Sequence, residues 1–323
     1  MQTRSQGKKI VVLGTGGTIA GTAASPTDRA YVAAQKGVAE LLAGLPLPQS
    51  FELVSEQVAQ IDSKDMDLGV WQALLRRCQH WLAQPEVQGL VITHGTDTLE
   101  ETAYLLQAVL APTKPVVLTC AMRPATAIDA DGPQNLLDAF AVAAEPGAHG
   151  VVVVCAGRIH SAFDVQKAHT WQLDAFTSGE AGDLGQVVQG RVILWRNWPV
   201  SAVEYAPDAI EKIANLATWP RVEIVLSHAA VTAATIDALV APDVAARFGA
   251  PPVRGLVVAA TGNGTLHQAL EVALQRAVAQ GVRVVRATRC AQGRVWPRPG
   301  DAWPDSQGLS PVKARLALML SLV

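Results

Sequence analysis

Ile10-Val11-Val12-Leu13-Gly14-Thr15-Gly16-Gly17-Thr18 is a short aliphatic run that breaks into a turn of three glycines and two threonines. A strand with no polar face is one buried on both faces, the condition of a parallel sheet covered by helices. Similar runs recur at Leu90 to Thr93, Val116 to Thr119 and Val151 to Val154. Between them, Leu99, Ala103, Leu106 and Leu110 repeat at helical spacing, and Pro133 opens a second helix through Leu136, Leu137 and Phe140. Strands alternating with helices predict βαβ units and an α/β fold.

Proline-containing segments interrupt the alternation between Trp195 and Pro220, where the domain boundary is expected: an N-terminal catalytic domain over 1–196, a linker over 197–220 and a C-terminal domain over 221–323. Strands then resume at Val222 to Leu226, Leu256 to Ala260 and Val282 to Val285. A last helix is expected to be capped by Ser310, with Pro311 at its first position.

Composition bounds the function. The 323 residues are 50% hydrophobic and 17% charged, a globular composition, and the net charge of −2 comes with no basic stripe, so nucleic acid is not an expected partner. No run reaches membrane-spanning length, so no membrane partner is expected. The apolar run after Lys8 and Lys9 stops at Gly14, too short for a signal-peptide core, and a cytoplasmic location is expected. Cys78, Cys120, Cys155 and Cys290 form no CxxC pair and no zinc spacing; they read as reduced core thiols.

Two loops stand where ligands bind in open α/β sheets, outside the carboxyl ends of strands. The first displays the Thr18 hydroxyl from a glycine turn that lacks a complete dinucleotide or P-loop pattern; alone, it is equally a turn without chemistry. The second is Thr93-His94-Gly95-Thr96-Asp97-Thr98. There, Thr98 and Glu101 predict a capping box at the start of the Leu99 helix; alone, Thr96 and Asp97 could serve only that helix start. His94, without a partner at ligand spacing, reads as a hydrogen-bonded structural residue. A threonine hydroxyl needs a base or a strong electrostatic partner to act as a nucleophile. A buried lysine with a lowered pKa can serve, and Lys167 in Asp164-Val165-Gln166-Lys167 is the candidate, although a lysine taken alone is ordinarily a solvated surface residue.

These residues resemble the bacterial-type L-asparaginase family. The resemblance rests on Gly16-Gly17-Thr18-Ile19-Ala20-Gly21 and on Ile92 to Thr98 followed by Glu100-Glu101-Thr102-Ala103-Tyr104. It extends through Ser63-Lys64-Asp65-Met66, Ala121-Met122-Arg123-Pro124, Asp131-Gly132-Pro133 and Gly262-Asn263-Gly264, over nearly the whole chain. It implies a larger N-terminal, flavodoxin-like domain with a mostly parallel sheet and a smaller C-terminal α/β domain. It further implies hydrolysis of L-asparagine to L-aspartate and ammonia through a threonine acyl-enzyme, with side activity on L-glutamine left open.

By the same resemblance Thr18 is the nucleophile, Tyr31 helps to activate it, and Thr96, Asp97 and Lys167 form a second catalytic cluster. Asp97 also binds the substrate α-ammonium and Ser63 its α-carboxylate, the Ala121 backbone carbonyl contacts the amide, and Asn263 reaches the site of a neighbouring subunit. A homodimer or homotetramer with inter-subunit sites follows, with no metal and no organic cofactor. The segment from Gly21 to Ala30, small, polar and hinged by glycine, suits a mobile lid. Asp62 and Lys64 depart from the family pattern around Ser63 and change the charge beside the expected α-carboxylate pocket. The tRNA-linked amidotransferase branch carries an extra N-terminal domain, whereas this chain begins almost at its first strand; an amino-acid sensor would not require activated hydroxyls.

Overall fold

A computed structural model describes residues 8–28, 30–46, 50–200 and 207–323. The chain forms two compact units, Met1–Asn215 and Leu216–Val323. In the first, β1 (Lys9–Gly16) leads to a hairpin of β2 (Thr22–Ala23) and β3 (Tyr31–Val32), then α1 (Val38–Leu42) and β4 (Glu52–Ile61). There follow α2 (Leu68–Leu82), β5 (Val87–Thr93), α3 (Leu99–Leu110), β6 (Pro115–Thr119), α4 (Gly132–Ala144) and β7 (Gly150–Cys155). The unit ends with the short strands β8 (Arg158–Ser161), β9 (Gln166–Lys167), β10 (Phe176–Thr177), β11 (Gly185–Val188) and β12 (Arg191–Leu194), and with α5 (Pro207–Ala214).

One eight-stranded sheet runs β12-β11-β8-β7-β6-β5-β1-β4. From β4 to β7 every pairing is parallel, whereas β8, β11 and β12 extend the sheet antiparallel. The parallel part has the flavodoxin-like order, because the chain crosses from β1 to β4 on one side and to β5 on the other. The crevice of such a sheet opens at that reversal, between the carboxyl ends of β1 and β5.

Register places the strand ends in one row: Gly14 pairs with Thr93, Thr93 with Thr119, and Thr119 with Val154. The loops that begin with Thr15, His94, Cys120 and Cys155 therefore leave the sheet at one level. The cause of the burial is visible in the runs themselves: Ile10 to Leu13, Leu90 to Ile92, Val116 to Leu118 and Val151 to Val154 have no accessible surface. Phe140, Leu136 and Ala139 of α4 pack on one face of this sheet with Val12, Val91, Val117 and Val152.

The second unit has a parallel three-stranded sheet, β13 (Arg221–Leu226), β14 (Val253–Ala260) and β15 (Arg283–Thr288), in that order. Its helices are α6 (Ala234–Val240), α7 (Pro242–Arg247), α8 (Gln268–Ala279) and α9 (Pro311–Ser321). Leu270, Ala273, Leu274 and Ala277 of α8 form its core with Leu256 and Val258.

Several expectations change. The division between units falls after Asn215, inside the expected 197–220 boundary segment, but that segment contains α5, whose end is tied to α2 by Arg76 Nη1 donating to the Ala214 carbonyl at 2.7 Å. The capping box at α3 does not form: Thr98 occupies the N-cap position, but its hydroxyl donates instead to the Ser63 carbonyl at 2.8 Å, a tertiary bond that displaces the local one. Ser310 and Pro311 stand where expected at the start of α9, without a side-chain cap bond. Cys78, Cys120 and Cys155 are buried, whereas Cys290 is exposed, so only three of the four cysteines are core residues. Among the described residues no helix is long and apolar enough to cross a membrane.

Gly17 has φ +81°, and a Cβ placed on it would lie 2.3 Å from the Gly95 nitrogen and Cα. Gly147 has nearly the same φ, +79°, with nothing within 4 Å of its Cβ position. Gly147→Ala is expected to lower unfolding free energy by about 1–2 kcal/mol, the left-handed backbone cost alone. Gly17→Ala should lose roughly a further 1–3 kcal/mol from the collision. Chemical denaturation of both variants checks this, and equal losses would refute the role of the backbone contact.

Candidate active site

The turn after β1 is fixed by two backbone bonds and one side-chain bond. Gly17 N donates to Ile61 O at 2.8 Å, Ala34 N donates to Gly17 O at 3.0 Å, and the Thr15 hydroxyl donates to Thr93 O at 2.9 Å. Thr18 follows as the first residue of a single 3₁₀ turn, buried to 7% exposure. Its Oγ1 shares a hydrogen bond of 2.8 Å with Tyr31 Oη. Gly21 allows this, because a Cβ there would meet Tyr31 Cδ2 at 2.9 Å. The hairpin that carries Tyr31 is fastened to the loop after β6 by Ala125 N to Gly21 O, Ile128 N to Pro26 O and Ala23 N to Thr126 Oγ1.

The turn after β5 supplies the second hydroxyl. Lys167 Nζ, on the short strand β9, donates to Thr96 Oγ1 at 2.8 Å and to Asp97 Oδ1 at 2.5 Å. With Lys167 as donor, the Thr96 hydroxyl proton is free to point elsewhere. Among the described residues Asp97 Oδ2 has no partner, and the Asp97 side chain is half-exposed. Asp97 N donates to Ser63 Oγ at 3.1 Å, so Ser63, almost fully buried, helps to fix this turn.

Thr18, Tyr31, Thr96, Asp97 and Lys167 line one cavity of about 230 Å³ together with Asp62, Met122, Arg123, Pro124, Thr170 and Trp171. That volume is below the 300–1,000 Å³ usual for drug-sized ligands and suits a small polar molecule. All five residues named as catalytic from sequence are thus brought together. Ser63 and Ala121 stand beside lining residues, Asp62 and Met122, without being part of the lining themselves. Asn263 lies in the second unit, where its Nδ2 donates to Trp296 O at 3.1 Å and its Oδ1 accepts from Trp296 N at 2.7 Å.

Asp62 lines the cavity as its sequence position suggested, and Lys64 pairs with Asp62 and Asp65, at 3.3 and 2.7 Å. Thr170 and Trp171 were missed by sequence reading. They are presented by a turn in which His169 Nδ1 accepts from the backbone nitrogens of Trp171 and Gln172 at 3.2 and 3.1 Å, so that nitrogen carries no proton. No spacing in the sequence marks this turn, because the bond runs from a histidine ring nitrogen to backbone N–H groups.

His94 is structural, as expected. It has no accessible surface; Nδ1 lies 2.7 Å from Gly95 O and Nε2 lies 2.9 Å from Thr102 Oγ1, which itself accepts from Trp71 Nε1 at 2.9 Å. A carbonyl only accepts, so Nδ1 bears the proton and Thr102 donates to Nε2. Burial pushes this imidazole down to about 4. The ordinary histidine value is about 6.5. Between the two, the unfolded chain binds a proton that the folded chain refuses. Stability is therefore full above about pH 6.5 and falls as pH drops towards 4. The loss should reach roughly 3 kcal/mol in wild type at 1.36 kcal/mol per pH unit. In His94→Gln that component should vanish from unfolding free energies measured between pH 7.5 and 4; an unchanged acid slope would overturn it.

The family model described as asparaginase, N-terminal, matches residues 9–200, and that of the glutaminase/asparaginase C-terminal domain matches residues 221–323. The chain is 39% identical to L-asparaginase 2 of Bacillus subtilis (strain 168), over 97% of its own length and 82% of that protein. It is 37% identical to a glutaminase-asparaginase of Pseudomonas fluorescens biotype A, over all of its length and 88% of that protein. Among solved structures it is similar to a probable cytoplasmic L-asparaginase from Campylobacter jejuni, with a TM-score of 0.86 and 35% identity, covering 98% of this chain and 95% of that one.

Proposed function

The chain belongs to the asparaginase family, and from that membership we propose how its residues divide the hydrolysis of L-asparagine to L-aspartate and ammonia. One observation carries the assignment: two buried hydroxyls line the same cavity, and each is hydrogen-bonded to a titratable side chain, Thr18 to Tyr31 and Thr96 to Lys167.

In the proposed sequence Asp97 Oδ2 receives the substrate α-ammonium, Ser63 and its turn receive the α-carboxylate, and the Ala121 carbonyl accepts from the side-chain amide. Thr18 Oγ1 attacks the amide carbon. Its proton passes through the bond to Tyr31 to the leaving nitrogen, the carbon–nitrogen bond breaks, and ammonia departs from a β-acyl ester on Thr18. Backbone N–H groups near Thr96 and the first glycine turn stabilise the oxyanion. Water oriented by Thr96, with the Lys167–Asp97 pair taking up and returning its proton, attacks the ester and regenerates Thr18. Every proton transfer falls to a side chain, so the scheme uses no metal and no organic cofactor. The hairpin bearing Tyr31 acts as the lid that excludes bulk water.

L-Glutamine is proposed as a second, slower substrate, with Asp62 at the cavity wall and Lys64 neutralised nearby setting the preference. A homodimer or homotetramer completes the site through Asn263, which lies beside the exposed Trp296 on a surface turn of the second unit. A cytoplasmic location is consistent with four free cysteines.

Thr18→Ala and Thr96→Ala are each expected to reduce ammonia release from L-asparagine by several orders of magnitude, at unchanged thermal unfolding temperature. Near-normal turnover in either variant would remove that residue from the mechanism. Sedimentation with an activity trace should find no active species smaller than a dimer, and a fully active monomer would refute the inter-subunit site.

A further inference from the structure

Asp131 stands at the N-cap of α4, where an aspartate ordinarily accepts from the N–H groups of its own helix. Here it makes no such side-chain cap bond. Its two carboxylate oxygens turn instead to the loop after β6: Oδ2 accepts from Met122 N at 2.9 Å and Oδ1 from Arg123 N at 3.0 Å. Asn135, one helical turn on, donates to the same Oδ2 at 3.2 Å and to Cys120 O at 3.0 Å, and accepts from Ala156 N at 2.9 Å. The start of α4 is thus fixed to the ends of β6 and β7. Gly132 lets it come close, since a Cβ there would lie 3.0 Å from Ile19 Cγ1, beside the Thr18 turn, and 3.5 Å from Ala121 Cβ.

Met122 N and Ala121 O belong to one planar trans peptide, so they point to opposite sides. Capturing the N–H on Asp131 therefore sets the direction of the carbonyl. Ala121 has no accessible surface, and among the described residues its carbonyl accepts no hydrogen bond. Buried carbonyls are nearly always paired, so an unpaired one calls for a donor. Its neighbour Met122 lines the catalytic cavity.

We propose that Asp131 is a positioning residue that holds the Ala121 carbonyl towards the leaving amide nitrogen of the substrate. This rests on the asparagine reading given above. As the nitrogen becomes ammonia its donor strength grows, so the bond strengthens along the reaction and favours carbon–nitrogen cleavage over return. The product carboxylate carries no N–H and faces the same carbonyl with a negative oxygen, which favours release. Burial pushes the Asp131 carboxyl up, against the opposing pull of the Met122 and Arg123 N–H groups.

The test compares an amide with an ester of the same acid. L-Aspartate β-methyl ester has a leaving group with no N–H, so the aimed carbonyl gives it nothing. Asp131→Asn keeps one acceptor oxygen but turns an NH2 towards the second backbone N–H. In the purified full-length protein, kcat for L-asparagine should fall at least about 10-fold, the usual cost of losing one buried bond, while kcat for the methyl ester stays within about threefold. Asn135→Ala, which removes the brace and leaves both amide bonds, should shift the amide-to-ester ratio the same way by a smaller factor. Equal loss on both substrates, or no loss on asparagine, would overturn the positioning role. Wild-type protein inactive on both compounds would overturn the asparagine reading itself, a result distinct from loss confined to the variants.

Discussion

Gly17 and Gly95 meet backbone to backbone, at a separation that leaves no room for a Cβ on either: one added to Gly95 would lie 3.1 Å from Gly17 Cα and 2.5 Å from Ser63 Oγ. The two turns leave adjacent parallel strands, β1 and β5, at the point where strand order reverses. Parallel neighbours stand about 4.8 Å apart. Only side-chain-free backbone at both turns lets Thr18 and Thr96, one residue beyond each glycine, open into a single cavity. Ordinary side chains would push the turns apart and separate the hydroxyls. Ser63 occupies the third side of the contact and ties it to the turn after β4 through its bond from Asp97 N.

Around that contact the site is assembled from loops, which are ordinarily mobile. Here each loop around the cavity is held by a side chain from another segment bonded to its backbone: Ser63 on Asp97 N, Asp131 on Met122 and Arg123 N, and Thr126 on Ala23 N. His169 does the same within its own turn for Trp171 and Gln172 N. Such bonds take up N–H groups that no regular element satisfies, and they give irregular backbone the fixed geometry that electrostatic stabilisation of a transition state requires. The hairpin bearing Tyr31 is exposed at Pro26, Thr27 and Asp28, and three hydrogen bonds to the loop after β6 hold it in place.

What the sequence made legible follows from burial. β1, β5, β6 and β7 are buried on both faces and read as uninterrupted aliphatic runs. β4 alternates exposed and partly buried positions at the sheet edge, and its Glu52, Ser55, Glu56 and Gln57 conceal it. The antiparallel extension through β8, β11 and β12 consists of four-residue strands, too short to show a period. Thr18, Thr96 and Asp97 were legible because glycine turns at strand ends mark them locally, whereas Lys167, an ordinary surface lysine taken alone, was legible only through the family resemblance. Thr170 and Trp171 were not, because a histidine lone pair on two backbone nitrogens brings them to the cavity, a bond with no spacing rule. The capping box failed for a related reason: the Ser63 carbonyl outcompetes the local partner for the Thr98 hydroxyl, and nothing near Thr98 in sequence announces Ser63.

The same competition explains why motifs that look like helix starts serve the site. Thr98 and Asp131 both occupy N-cap positions, and both direct their side chains to another loop instead of the backbone N–H groups of the helix they begin. A missing cap bond costs a helix about 1 kcal/mol, a modest sum against the packing of α3 and α4 on a fully buried sheet. A loop carrying a catalytic or substrate-facing group has no such packing behind it. Moving the polar side chain from helix to loop therefore loses little where stability is ample and gains order where it is scarce. In a doubly wound sheet, whose helix starts and strand ends share one edge, that exchange lets secondary structure organise chemistry.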